Sequence, residues 1–186
     1  QNSVAERSKE IFTDFIDEIV RKYDDAINAI KSKIDNAGFK IEILQLTQPD
    51  NVKDLINANI EKAKLLQQQQ ANAINKVNAL QSQYNSAVKK YGANSEQAKK
   101  VKEELDRAQE EYEQITLEIV RTEKEIRDIR AQVADDSINQ LKEYYKSMKD
   151  MDMDAIENEK ELLKRAHDEK MKMYDEEIDR INKVYD

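Results

Sequence analysis

Cysteine and tryptophan are absent from this chain, and its 186 residues include one proline, two glycines and one histidine. Without cysteine there is no disulfide framework and no thiolate metal site. A strand-rich fold needs a turn residue about every ten positions, and one proline with two glycines cannot supply them. The glycines, Gly38 and Gly92, lie fifty-four positions apart, so no glycine-rich phosphate loop exists. No run approaches about eighteen apolar residues, which excludes a transmembrane helix in this sequence. The start lacks the basic-then-apolar pattern of a signal peptide. It opens on Gln1 rather than Met, as a fragment or a processed product would.

What is present is helix-forming material. Charged residues make up 38% and apolar ones 39%, with 39 acids and 31 bases for a net charge of −8. That apolar fraction removes the chain from the disordered polyelectrolytes, provided it is periodic. It is. From Phe12, apolar residues at Ile16, Ile19, Tyr23, Ala26, Ile30 and Ala37 step by four and three with one break at Lys33, predicting a helix over 3–37. Phe15, Ile27 and Ile34 widen the stripe, which suits a helix with more than one neighbour. After Gly38 the alternation of Phe39, Ile41 and Ile43 with Lys40, Glu42 and Leu44 has no partner strand, so it reads as an irregular or helical connector. Residues 1–46 form the first unit.

Thr47-Gln48-Pro49-Asp50 carries the marks of a helix start: a threonine cap, a proline in the first turn and an acid three residues on. The unit at 47–134 then holds two regular stripes. One runs from Val52 through Leu66, Val77, Leu80 and Tyr84 to Tyr91; the other runs through Val101, Leu105, Tyr112, Ile115, Ile119, Ile126 and Ile129 to Val133. Gly92, Asn94 and Ser95 mark the turn, a glycine for the C-terminal cap and a short polar pair to start the next helix. Two helices of this length joined by so short a loop predict an antiparallel coiled-coil hairpin with helical extensions, all-α throughout. The charges agree. Residues 49–91 hold six bases and three acids, whereas 92–134 hold eight bases and eleven acids. Gln70 at a seam position fits a register-setting role better than a low-complexity tract.

Ala134-Asp135-Asp136-Ser137 predicts either a cap between helices or a kink in one helix. The last unit, 135–186, is an acidic helix with sixteen acids and ten bases. Its apolar residues fall in two phases, Leu141-Tyr145-Met148 and Met171-Tyr174-Ile178-Ile181-Tyr185, so a strict heptad slips between them.

Few residues suggest chemistry. Asp150, Asp152 and Asp154 with Glu161 imitate a calcium loop, but position six is Ala155 where a sharp turn needs glycine, so an acidic helix surface is the better reading. His167 has no second ligand or nucleophile at helical spacing, since positions 163, 164, 170 and 171 are Leu, Lys, Lys and Met. General acid–base work needs a desolvated carboxylate, and a helical rod offers no pocket for one. Lys89-Lys90 and Lys99-Lys100-Lys102 near the turn lie among acids and make a weak case for phosphate contact. No catalytic residue, cofactor, metal or nucleic acid is expected, and the chain is expected not to be an enzyme.

The stretch "LKEYYKSMKDMDMDAIENEKELLKRAHDEKMKMYDEEIDRINKVYD", Leu141 to Asp186, resembles the tape measure proteins of long-tailed bacteriophages of Gram-positive hosts. Residues 50–133, with "NANIEKAKLLQQQQANAINKVNALQSQYNSAVKKYGANSEQAKKVKEELDRAQEEY", are similar to the helical repeats of those proteins. The likeness rests on helical rhythm, a Lys/Glu/Asp mixture and recurrent Tyr-Asp and Glu-Lys pairs, and no functional residue is carried over with it. It implies a structural protein of the virion that fills the tail tube lumen and sets tail length. Its partners would be other copies of itself, tail-tube and tail-tip proteins and tail assembly chaperones, with no stable membrane insertion by this segment. A ruler of this kind would stretch to roughly 280 Å as one helix, with copies associating in parallel. A coiled-coil tether or scaffold is the alternative, and an α-helical pore-forming toxin is a third, with only Phe39 to Leu46 to offer a lipid.

Overall fold

The computed structural model describes residues 2–147 and 153–185. The described residues form four helices: α1 (Asn2–Thr47), α2 (Val52–Tyr91), α3 (Glu96–Ser147) and α4 (Met153–Tyr185). The fold is all-α. At 1.5 Å per residue the longest, α3, spans roughly 78 Å.

Cross-helix ties give the directions. On α2 and α3, Lys62 meets Glu118, Gln70 meets Thr116 and Lys76 meets Glu111, one number rising as the other falls. These helices are antiparallel neighbours. α1 runs antiparallel to α2 as well, with Lys40 near Glu61 and Asp24 on Lys76. α4 returns along the far end of α3, where Arg130 meets Asp175, and runs parallel to α2, where Lys64 faces Glu177 and Gln67 meets Asn182.

The core is a chain of three apolar clusters rather than one. Nearest the α2–α3 turn, Ile16 of α1 packs with Leu80 and Ala87 of α2 and with Ala98, Val101, Leu105 and Ala108 of α3. The alanines let three backbones approach closely. In the middle, Ile27 joins Leu66, Ala73, Ile115 and Ile119. At the far end the third partner changes: Ile56, Ile60 and Ile126 pack with Ile181 of α4. Thus α1 covers the α2–α3 pair along most of its length, and α4 takes over where α2 begins.

Two helix boundaries differ from expectation. α1 does not stop at Ala37 but runs through Gly38 and the whole 39–46 stretch to Thr47. The period-two run hides a helical step, because Ile34, Ala37 and Ile41 fall on one face and Ala37 and Ile41 are buried. Thr47 is not a cap. It is the last residue of α1, and its Oγ1 donates to Ile43 O at 2.7 Å. Pro49 accordingly lies in the connecting turn, and the cap of α2 is Asn51, whose Oδ1 accepts from Asp54 N at 3.3 Å. At 134–137, of the two alternatives, a single helix running through is what is found: Gln132 donates to Asp136 along its surface, and α3 is described as far as Ser147.

Candidate functional site

The candidate site is the set of seams between helices, together with the turn that aligns them. Of the eleven expected seam residues, Leu66, Leu80, Val101, Leu105, Ile115, Ile119 and Ile126 are buried. Val77, Tyr84, Tyr112 and Ile129 are half-buried and pack against the same clusters. The expected residues are spread over all three clusters, so they line an interrupted strip along α2 and α3, and two of them, Leu66 and Ile115, also line an open cavity of about 790 Å³ between α1, α2 and α3.

The turn is built as its residue types require. Gly92 has φ +95°, a value that favours glycine, and its N–H donates to Val88 O at 2.9 Å to close α2. Ser95 starts α3: its Oγ accepts from Ala98 N at 3.1 Å and donates to Gly92 O at 2.7 Å. Asn94 is exposed between them. Phe12 of α1 meets Tyr91 edge-on with ring centres 5.7 Å apart, which ties α1 to the end of the hairpin. Beside it Lys9 and Glu96 pair at 2.9 Å, a contact that raises the lysine's pKa and lowers the glutamate's.

Of the polar groups inside the seams, sequence reasoning placed Gln70 and missed the rest. Lys76 is buried with its Nζ 2.6 Å from Asp24 and 3.5 Å from Glu111, so one cation joins α1, α2 and α3. Gln69 donates to Ile27 O of α1 at 3.3 Å, and Gln70 donates to Thr116 Oγ1 at 2.9 Å. Lys100 is held above its usual pKa by its hydrogen bond to Asp17, a further α1–α3 tie. At the α4 contact, burial lowers the pKa of Arg130 although its Nη1 meets Asp175. Arg130 Nε and Gln67 Oε1 have no partner there. No periodicity announces these groups, because Lys and Gln occupy outward positions at the same spacing elsewhere on the same helices.

Among the described residues no three His, Asp or Glu side chains are grouped to hold a metal ion. No helix of the described residues is long and apolar enough to cross a membrane. His167 is half-buried on α4. Of the calcium-like run at 150–154, positions 150–152 and all five side chains lie outside the described residues. Comparison with protein families, curated proteins and solved structures finds no match to this chain.

Proposed function

We propose that this chain is an architectural segment of a phage tail tape measure protein, one that sets tail length from within the tube and performs no catalysis. The observation that carries the reading is the make-up of the seams. The middle of three small apolar clusters is interrupted by buried or half-buried Gln67, Gln69 and Gln70, and buried Lys76 separates it from the cluster at Leu80, all four engaged in ties between helices. A polar seam group released to water recovers hydration that an apolar one does not. Such a bundle opens more readily than one with a continuous apolar core, while its helices, 33 to 52 residues long, stay helical. A ruler needs that property: helix length kept folded until a tube stretches it. The tail-tube, tail-tip and chaperone partners belong to this proposal, as does the lumen location.

One observation favours a second reading. α1, α2 and α3 fold back on one another, which divides the reach of the chain by about three, as suits a rigid tether or scaffold of roughly 60–80 Å. Excision of residues 47–134 from the parent protein, followed by electron microscopy of assembled tails, separates the two. A working ruler shortens the tail by about 130 Å. An unchanged tail length overturns it and leaves the tether.

A further inference from the structure

α3 and α4 extend beyond the start of α2. At the level of α2, Val52 and Ile56 pack between them, against Ile126 and Ile181. Past Val52 the seam continues as an open groove of about 1360 Å³, lined among the described residues by 133–142 of α3 and 159–170 of α4 alone. Its floor is apolar and includes Ile138 and Leu163, which are 48% and 44% exposed. Its rim carries Lys142, Lys160, Lys164 and Lys170 against Glu159 and Asp168. That basic excess stands out in the most acidic quarter of the chain. Two helices alone leave an apolar stripe uncovered, and a third amphipathic helix covers it.

The complementary surface is at the opposite end of the molecule. α1 starts ahead of the α2–α3 turn, with Lys9 already level with Glu96 at the head of α3. There Val4, Ile11 and Phe15 are 72%, 67% and 47% exposed. Steps of seven and four residues place them on one face of the helix. Residues 2–18 hold five acids and two bases. With Lys9 paired to Glu96 and Asp17 to Lys100, four acids and one base remain.

We propose that the groove between α3 and α4 takes the N-terminal end of α1 from a second copy, joining copies head to tail. An exposed apolar stripe meets an apolar floor, and an acidic helix end meets a lysine rim. The two surfaces differ and lie at opposite ends, so the contact is heterologous and repeats into an open row. It does not rest on the tape measure reading, because a tether built of repeated copies would use it equally.

Light scattering across a wide concentration range, with the full chain and two variants, tests it. Wild type gains mass beyond 21.7 kDa as concentration rises, and loses it as added salt screens the lysine rim. Ile11→Glu and Leu163→Glu each stay monomeric, with unchanged circular dichroism because both positions are exposed. Mixed, they form a heterodimer and go no further, since the Leu163→Glu copy offers an intact α1 end and the Ile11→Glu copy an intact groove. If Leu163→Glu loses helicity, Lys164→Glu takes its place at the rim. A wild type that stays monomeric throughout overturns the proposal. So does a variant that still associates alone, or a mixture that does not associate.

Discussion

Lys76 Nζ of α2 lies 2.6 Å from Asp24 Oδ1 of α1, and the lysine side chain is only 6% exposed whereas the aspartate is 38% exposed. The cation is therefore the buried member and the carboxylate its link to water. Glu111 of α3, also 38% exposed, stands 3.5 Å away on the third helix. A buried charge with two partly hydrated partners ties three helices at one level of the bundle, between the apolar clusters of Leu80 and Ile27.

This arrangement predicts non-additive loss. Asp24→Ala and Glu111→Ala each leave Lys76 one partner and should cost about 1 kcal/mol in urea unfolding. The double variant strands a buried ammonium and should cost about 3–5 kcal/mol, well above the sum. Lys76→Met should cost less than the double variant, because both carboxylates can rehydrate. Additive singles would mean that the lysine reaches water by another route.

The seam assignment makes a phase-specific prediction on α3. Leu105→Asp and Ile119→Asp put a charge among buried apolar residues and should melt the hairpin by 3 kcal/mol or more, roughly. Leu117→Asp and Val120→Asp, on the exposed face of the same helix, should stay within about 0.5 kcal/mol of wild type. Thermal unfolding of the four variants reads the helix phase directly. Equal effects at all four positions would refute it.

The α2–α3 seam was legible because apolar steps of three and four residues have one structural meaning when they persist. Gly92 and Ser95 were legible because positive φ and N-capping restrict residue type. The start of α2 was not. Thr47 and Asn51 are both good caps, and sequence offers each the same credentials. The structure chooses Asn51 because α1 stays helical through Ile41 and consumes Thr47. The return of α4 onto Ile56 and Ile126 escaped for another reason: Tyr174, Ile178 and Ile181 show a stripe, but a stripe does not name its partner. Lys76 and Gln69 escaped because burial of a polar residue depends on the neighbouring helix, which is a tertiary property.

The cap correction can be measured. Asn51→Ala should cost about 1 kcal/mol, since it removes the acceptor for Asp54 N. Thr47→Ala loses only a bond from its hydroxyl back to Ile43 O within the last turn of α1 and should be near neutral. A larger loss at Thr47 than at Asn51 would restore the threonine as the start of α2.

The two glycines should respond with opposite signs to the same change. A Cβ at either position meets nothing within 4 Å, so sterics with neighbours do not decide the matter. Gly38 lies inside α1, and Gly38→Ala should stabilise by about 0.5–1 kcal/mol through helix propensity and a less flexible unfolded chain. Gly92 has φ +95°, so Gly92→Ala should destabilise by about 1 kcal/mol or more. Differential scanning calorimetry of the two single variants gives both signs in one experiment.

The Lys9–Glu96 pair predicts how the α1 end responds to acid. The hydrogen bond from Lys9 lowers the pKa of Glu96, so folding favours the charged carboxylate. Such a group contributes above its unfolded pKa, and the contribution is lost as pH falls through the lowered folded value. The same contact raises the pKa of Lys9, so its alkaline loss begins only as pH rises through that raised value. Both shifts describe one exposed ion pair and count once. Wild type should therefore be slightly more stable than Glu96→Gln near neutral pH, and the difference should fade as pH drops below about 4. Hydrogen exchange at the first turns of α1 should rise over the same acid range. A gap between wild type and Glu96→Gln that persists unchanged into acid would show that the difference does not come from the ionised carboxylate, and so not from its pairing with Lys9.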